Sequence, residues 1–260
     1  MIESALRLLG IYKIYEKRLK SQVKSQGAPG HIGIILDGNR RWAVNQGLSL
    51  EFGHARGANV AEELLDWCHE LGVKTVTLYV LSTENLSRRT VEVNEILSLL
   101  EVRLGKLLQD ERITRYKVRV KAIGQLDLLP KSIRDLLSAI EEKTKDYGDH
   151  YLNIAVAYGG RAEITDMVRA VAVEVRNGRL EPEQITEETI SNRLYTSFLP
   201  NQEPDLIVRT SGEERMSGFM LWQGAYSELV FVDVFWPDFR YIDLLRAIRT
   251  YQRRTRRMGK

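Results

Sequence analysis

The stretch HIGIILDGNRRW, residues 31–42, decides how this chain is read. Ile32, Ile34, Ile35 and Leu36 form a short apolar run of the kind that a fully buried strand requires. Asp37 stands where that strand ends, Gly38 and Asn39 permit a sharp turn, and Arg40, Arg41 and Trp42 open a helix. A strand running through a tight turn into a helix start suits phosphate. Helix-opening N–H groups and arginines attract phosphate oxygens, and an aspartate beside them is able to hold a magnesium ion bridging a diphosphate. Taken alone, the stretch reads sooner as an Asp-Gly turn before an ordinary solvated helix, and it is the rest of the chain that reverses this.

The remaining elements repeat the pattern. An amphipathic, basic helix over residues 2–24 ends at Gln26-Gly27-Ala28-Pro29-Gly30, and is suited either to a membrane interface or to packing on the protein body. Gln46-Gly47 closes the first short helix, Phe52-Gly53-His54 reads as a turn, and a longer helix follows over 56–71. Thr75 to Leu81 is a second strand, ending in Ser82, Thr83, Glu84 and Asn85, with Arg88 and Arg89 beyond. A leucine-rich helix over 91–113, a strand over 117–123, a helix over 131–147 and a strand over 151–158 come next. That strand runs into Gly159-Gly160-Arg161 and a helix over 162–176. A short helix near 187–194, a fifth strand over 205–208 ending at Arg209, a sixth over 228–231, Trp236-Pro237-Asp238-Phe239 and a basic C-terminal helix complete the chain. Strands alternating with helices predict a single α/β domain with a mostly parallel six-stranded sheet. In such sheets ligands bind beyond the carboxyl ends of the strands, and four strand ends here carry Asp, Ser, Asn, Gly or Arg.

Composition bounds the rest. The 260 residues suffice for one large core, no linker-like segment divides them, and 43% apolar with 28% charged residues is ordinary for a globular protein. No apolar run approaches membrane-spanning length and no cleavable signal pattern opens the chain, so a cytoplasmic protein is expected. A single cysteine, Cys68, excludes an internal disulfide and reads as a buried structural thiol. The net charge of +3 is unevenly spread: residues 1–26 carry six Lys/Arg against two Glu, and residues 240–260 carry eight against one Asp. Basic ends point to an anionic partner, whether a membrane surface, nucleic acid or a phosphorylated substrate.

Blocks HIGIILDGNRRWA (31–43), FGHARG (52–57), LSTENLSR (81–88), AYGGRAEI (157–164), DLIVRTSGEERMSGFMLWQGAYSELVF (205–231) and WPDF (236–239) together resemble the cis-prenyltransferase family, the undecaprenyl diphosphate synthase-like enzymes. The chain lacks the DDxxD motif of trans-type prenyl synthases. The resemblance implies a catalytic domain over 27–260, with residues 1–26 as an amphipathic basic helix, and an apolar chain-elongation tunnel walled by the helices 91–113 and 131–147. It implies condensation of isopentenyl diphosphate with an allylic diphosphate, farnesyl or geranylgeranyl diphosphate being expected, to give a long-chain polyprenyl diphosphate. The cofactor implied is Mg²⁺.

By the same resemblance Asp37 is the essential carboxylate at the magnesium site, with Glu228 as a second metal carboxylate. Gly38, Asn39, Arg40, Arg41, Trp42 and His54 serve the allylic diphosphate, with Arg88 and Glu84 nearby, while Arg209, Arg215 and Ser217 serve isopentenyl diphosphate. Asn85, with Ser82, sits where relatives position the group for proton removal. Arg256-Arg257-Met258-Gly259 resembles a family tail that reaches a diphosphate site across a homodimer interface. Leu50, Leu86 and Glu214 depart from bacterial members, whereas DGNRRW and TSGEER resemble the archaeal and eukaryotic branches. Alternatives are a short-chain or irregular prenyl coupling enzyme, a non-catalytic partner subunit and, from another class, a basic nucleic-acid-binding protein. The reading adopted has diphosphate substrates, a homodimer, possible peripheral contact with a membrane and no nucleic acid.

Overall fold

The computed structural model describes residues 11–87 and 89–254. Helix α1 (Ile11–Gln26) leads into β1 (His31–Ile35), followed by α2 (Asn39–Asn45), α3 (Leu50–Leu71) and β2 (Thr75–Ser82). Then come α4 (Thr90–Gln109), α5 (Glu111–Arg115), β3 (Val118–Ile123), α6 (Lys131–Thr144) and β4 (His150–Tyr158). The chain closes with α7 (Gly160–Arg176), α8 (Glu187–Ser191), β5 (Leu206–Arg209), β6 (Glu228–Phe231) and α9 (Tyr241–Arg253). The strands form one six-stranded sheet, ordered β3-β4-β2-β1-β5-β6, in which every pairing is parallel.

Parallel strands need helical crossovers, and the crossovers cover both faces of the sheet, so central strands must be apolar on both sides. All five residues of β1 are accordingly buried. Alternate residues feed two cores. Ile32, Ile34, Val76, Leu78 and Val208 pack with α3, α4, α6 and α9, while Ile35, Tyr79, Ala155 and Ile207 pack with Phe219 and Met220 on the other face. Helix α1 is part of the first core, because Leu19 and Val23 are buried within it.

Two helices differ from the sequence expectation for identifiable reasons. Helix α3 begins at Leu50, capped by the Ser49 side chain, and runs through the segment expected to turn. Gly53 and Gly57 lie inside that helix because α2 presses on them. A Cβ at Gly53 would lie 2.5 Å from the Asn39 carbonyl oxygen, and one at Gly57 would lie 2.0 Å from Asn39 Oδ1. The glycines permit helix contact and do not mark a bend. The long leucine-rich helix, conversely, stops at Gln109, where the Asp110 carboxylate caps α5 by accepting from the Arg112 N–H at 2.8 Å.

A polar chain crosses the centre of the sheet. His31 Nε2 lies 2.8 Å from Thr77 Oγ1, which also accepts from Asn153 Nδ2 at 2.8 Å, linking β1, β2 and β4. Burial pushes the His31 imidazole down to about 4 from its ordinary 6.5. The folded state thus resists protonation that the unfolded chain accepts. The linked stability is full above pH 6.5 and lost as pH falls toward 4, by about 3 kcal/mol in all. Urea unfolding across that range is expected to show this loss in the parent chain and to lack it in His31→Gln, which will start less stable.

Candidate active site

The registers that pair Ile35 with Tyr79 and with Arg209 align the carboxyl ends of β1, β2 and β5. Beyond them opens a cleft of about 1080 Å³ lined by residues following four strands: 37–41 after β1, 82–85 after β2, 159–162 after β4 and 209–218 after β5. The four strand ends expected to converge do so.

Asp37 lies at the centre. Its backbone is clamped from the neighbouring strand end: the Thr210 hydroxyl donates to the Asp37 carbonyl at 2.6 Å and accepts from the Asp37 N–H at 3.0 Å. Its carboxylate accepts from Arg209 Nη2 at 2.7 Å and from Arg41 Nη2 at 3.2 Å. Partial burial alone would raise this carboxyl, but the Arg209 guanidinium, aided by Arg41, outweighs it and holds the group below the usual carboxylate value. Gly38 turns the chain at φ 108°, a backbone region that disfavours side chains, and a Cβ there would lie 2.8 Å from the Phe235 ring.

Arg209 is only 4% exposed, and it is held on several sides. Besides Asp37 it donates to Ser217 Oγ at 2.8 Å and to the Arg215 carbonyl. Ser217 is in the left-handed region at φ 48°, and its carbonyl accepts from the Tyr79 hydroxyl at 3.4 Å. Arg41 donates to Glu213 at 2.7 Å and to Ser211 Oγ at 2.6 Å, and Glu213 also pairs with Arg215. One carboxylate therefore ties the arginine after β1 to the arginine after β5.

The loop that carries these groups is anchored from below. The buried Glu163 accepts from the Tyr158 hydroxyl at 2.5 Å, from the Tyr195 N–H at 2.8 Å and from Gln223 Nε2 at 3.0 Å. The Tyr158 hydroxyl accepts in turn from the Met220 N–H at 3.2 Å. Burial pushes the Glu163 carboxyl up despite these bonds. Neither Glu163 nor Glu213 is singled out by the sequence reading, although both lie within its quoted blocks.

Opposite, Ser82 at the end of β2 and Asn85 in the 3₁₀ turn Glu84–Ser87 are bonded to each other twice. The Ser82 N–H donates to Asn85 Oδ1 at 3.3 Å, and the Asn85 N–H donates to Ser82 Oγ at 3.1 Å. Glu84 and Arg161 share this side of the cleft. Arg40 also lines it, reaching Glu92 at 3.5 Å.

A second cavity, about 580 Å³ and lined mainly by aliphatic side chains, lies between α3, α4 and the sheet. It shares Leu36, Asn39, His54, Val80 and Ile96 with the polar cleft. His54 thus stands where polar and apolar spaces meet. The walls are α3, with Ala58, Ala61 and Leu65, and α4, with Leu100, Leu104 and Leu107. Helix α6 is not a wall, contrary to expectation: it covers β3 and packs against α4 from outside, burying Ile133, Leu137 and Ile140. Cys68 lines the cavity, and burial pushes its thiol up to about 12, in keeping with a structural role.

Two further expected site residues are not brought to the cleft. Trp42 is buried in the seam between α2 and α3, stacked on Phe52 at 6.2 Å between ring centroids, because the helical turn after Asn39 points it at α3. Glu228 is the first residue of β6 and pairs in register with Leu206, which puts it at the opposite edge of the sheet from Asp37. Arg254 takes its carboxylate there at 2.9 Å, so within one chain Asp37 and Glu228 cannot hold the same ion. Arg88 and the tail 256–259 lie outside the described residues.

Among the described residues no group of three or more His, Cys, Asp or Glu side chains forms a metal cage. The donor set nevertheless fits magnesium, which binds through one or two carboxylates and completes its octahedron with water and substrate phosphates. Asp37 supplies such a carboxylate beside Arg41 and Arg209 at the polar cleft.

Comparison with known proteins agrees with this geometry. Residues 35–259 match the prenyltransferase family model described for undecaprenyl diphosphate synthase. The chain is 53% identical over 250 residues to the tritrans,polycis-undecaprenyl-diphosphate synthase (geranylgeranyl-diphosphate specific) of Methanopyrus kandleri, covering 96% of this chain and 92% of the relative. Identity to the enzyme of the same description from Methanocaldococcus jannaschii is 49% over 251 residues, covering 96% and 90%. Lavandulyl diphosphate synthase from Lavandula x intermedia, solved with dimethylallyl diphosphate, superposes with a TM-score of 0.87 at 34% identity, covering 90% of this chain and 99% of that one. A probable undecaprenyl diphosphate synthase from Campylobacter jejuni gives 0.72 at 30% identity, covering 89% and 99%. Motifs, fold and relatives coincide over nearly the whole length, and the chain belongs to the undecaprenyl diphosphate synthase family of cis-prenyltransferases.

Proposed function

We propose that this chain condenses isopentenyl diphosphate with geranylgeranyl diphosphate, repeatedly and with cis geometry, to give a long-chain polyprenyl diphosphate. The observation that carries the reading is the junction at His54, where an arginine-lined polar cleft meets an apolar cavity. A substrate with an anionic head and a hydrocarbon tail fits both at once. The primer follows from the descriptions of the most similar relatives, which name geranylgeranyl diphosphate.

In this mechanism Gly38, Asn39, Arg40, Arg41 and His54 hold the allylic diphosphate with its tail in the apolar cavity. Arg209, Arg215 and Ser217 hold the isopentenyl diphosphate so that its double bond faces the allylic C1. Asp37 would hold Mg²⁺, which would supply positive charge to offset that of the diphosphate. The isopentenyl π electrons form the new bond to C1 as the C1–O bond breaks, and the arginines stabilise the negative charge on the departing diphosphate. A proton then leaves the isopentenyl C2, and Ser82 and Asn85 orient the group that receives it. Glu84 and Arg88 complete the polar wall. The division of labour between a body over 27–260 and an N-terminal helix over 1–26, the homodimer with its tail at 256–259, and a cytoplasmic, membrane-peripheral location belong to the same reading. They rest on the resemblance and on the lipid nature of the product. Among the described residues no helix is long and apolar enough to cross a membrane.

A second reading, irregular or short-chain coupling at the same site, draws on the likeness to lavandulyl diphosphate synthase. The apolar cavity favours a long product.

Purified protein given labelled isopentenyl diphosphate, Mg²⁺ and each allylic primer in parallel is expected to make a ladder of long products, most efficiently from geranylgeranyl diphosphate. Asp37→Ala should lower that rate on the order of a hundred- to a thousandfold. A single short or branched product from dimethylallyl diphosphate would instead select the second reading. Arg209→Lys keeps the charge but cannot reach Asp37, Ser217 and the Arg215 carbonyl together, so it should raise KM for isopentenyl diphosphate by about tenfold or more. Ala61→Phe fills the apolar cavity and should shift the ladder to shorter chains with the first condensation intact, as read by thin-layer chromatography of the hydrolysed products.

A further inference from the structure

The loop after β5 is strained, and part of what holds it lies outside the residues assigned to substrate. Ser217, Gly218 and Met220 are all in the left-handed region, at φ 48°, 77° and 44°. Ser217 and Met220 carry side chains that disfavour that region, so the conformation persists only where neighbours enforce it. The Gly218 carbonyl accepts from the Gly160 N–H at 2.8 Å, and the Met220 N–H donates to the Tyr158 hydroxyl at 3.2 Å. Phe219, between them, is fully buried against β1, where a Cβ at Gly33 would lie 2.8 Å from its ring. None of these contacts reaches Ser217.

Tyr79 of β2 does. Its ring stacks on Phe219 at 4.9 Å between centroids and 16° between planes, and its hydroxyl lies 3.4 Å from the Ser217 carbonyl and 3.3 Å from the Tyr158 carbonyl. A phenol has one proton to give. The Tyr158 carbonyl already accepts from the Thr83 N–H at 3.0 Å, whereas the Ser217 carbonyl has no other donor among the described residues. Burial pushes the Tyr79 phenol well above its ordinary value, so it stays protonated and able to donate at neutral pH. A buried tyrosine usually needs no more than some partner for its hydroxyl. Here the partner is the strained peptide that bears Ser217 Oγ, which accepts from Arg209 Nη1 at 2.8 Å. Tyr79, Ser217 and Gly218 all line the polar cleft.

We propose that Tyr79 is a positioning residue for isopentenyl diphosphate: its hydroxyl fixes the Ser217–Gly218 peptide, and with it the Ser217 side chain on Arg209, in the form that receives this substrate. The proposal rests on the prenyl-transfer reading, in which Arg209, Arg215 and Ser217 serve isopentenyl diphosphate. Gly38, Asn39, Arg40, Arg41 and His54, which serve the allylic diphosphate in that reading, lie outside the contacts that Tyr79 makes. Loss of the hydroxyl is therefore felt at one substrate and not at the other.

The test is Tyr79→Phe in the full chain, which keeps the ring stack and removes only the hydroxyl. Initial rates with Mg²⁺ are taken at varied isopentenyl diphosphate under saturating geranylgeranyl diphosphate, and then the converse. KM for isopentenyl diphosphate is expected to rise about three- to tenfold, the loss of one hydrogen bond, with kcat and KM for geranylgeranyl diphosphate within about twofold of the parent. In a Ser217→Ala background the same substitution should cost much less, because the side chain it positions is gone. Amide hydrogen exchange gives a readout without turnover: it should quicken over 216–220 in Tyr79→Phe and stay unchanged in β1 and β2. An unchanged KM for isopentenyl diphosphate, an equal rise in both KM values, or unchanged exchange over 216–220 would overturn the proposal. Should Tyr79→Phe melt early, rates taken well below its midpoint carry the same comparison of the two KM values. A parent chain that incorporates isopentenyl diphosphate with no primer at all would sink the prenyl-transfer reading instead. Calorimetric titration of isopentenyl diphosphate into parent and Tyr79→Phe then decides for Tyr79 separately, weaker binding to the variant supporting its role and equal binding overturning it.

Discussion

The site depends on the ion pair between Arg209 and Asp37. A guanidinium that is nearly inaccessible to water is stable only if its charge and most of its N–H groups are met, and Asp37, Ser217 and the Arg215 carbonyl meet them. The pair also fixes three pieces of backbone: the end of β1, the end of β5 and the loop that follows. Such a pair adds little net stability, because desolvation offsets much of the attraction. Its effect is on geometry. The carboxylate is held charged, at a fixed distance from two arginines, before any substrate arrives. Preorganisation of this kind is what electrostatic catalysis requires.

Around that pair the site is graded from polar to apolar over one layer of residues. Asp37, Arg41 and Glu213 face the cleft, while Leu36, Val80 and Ile96 already line both spaces. Parallel sheets produce this gradient readily. The strand ends leave the covered interior and can carry polar side chains, whereas the strand bodies one residue back are still packed beneath helices.

Much of this was legible in the sequence. Apolar runs ending in Asp, Ser, Gly or Arg marked the strands and the reactive edge, because burial on both faces leaves no other pattern. The illegible parts needed three dimensions. Gly53 and Gly57 look like breakers but sit inside α3, since only the position of Asn39 explains them. Trp42 adjoins two arginines in sequence, yet helical rotation sends it to the other side of α2. Glu228 opens its strand and does not close it, so the direction of a parallel strand carries it to the far edge. Helix α6 has the leucine pattern of a cavity wall, but the crossover from β3 to β4 seats it one layer further out. Glu163 and Glu213 had no local signal, because their importance comes from partners distant in sequence.

The all-parallel sheet has a consequence for biosynthesis. Parallel neighbours cannot be joined by hairpins, and β1 and β5, hydrogen-bonded along their length, belong to opposite ends of the chain. Asp37 and Arg209 are 172 positions apart. On the ribosome the amino-terminal strands emerge while β5 has yet to be translated, so the carboxylate has only the local Arg41 and waits for Arg209 until most of the protein has left the exit tunnel. Long-range pairing of this kind slows folding. It also means that a chain interrupted before β5 lacks the Arg209 side of the cleft, and such a truncated product cannot assemble the site.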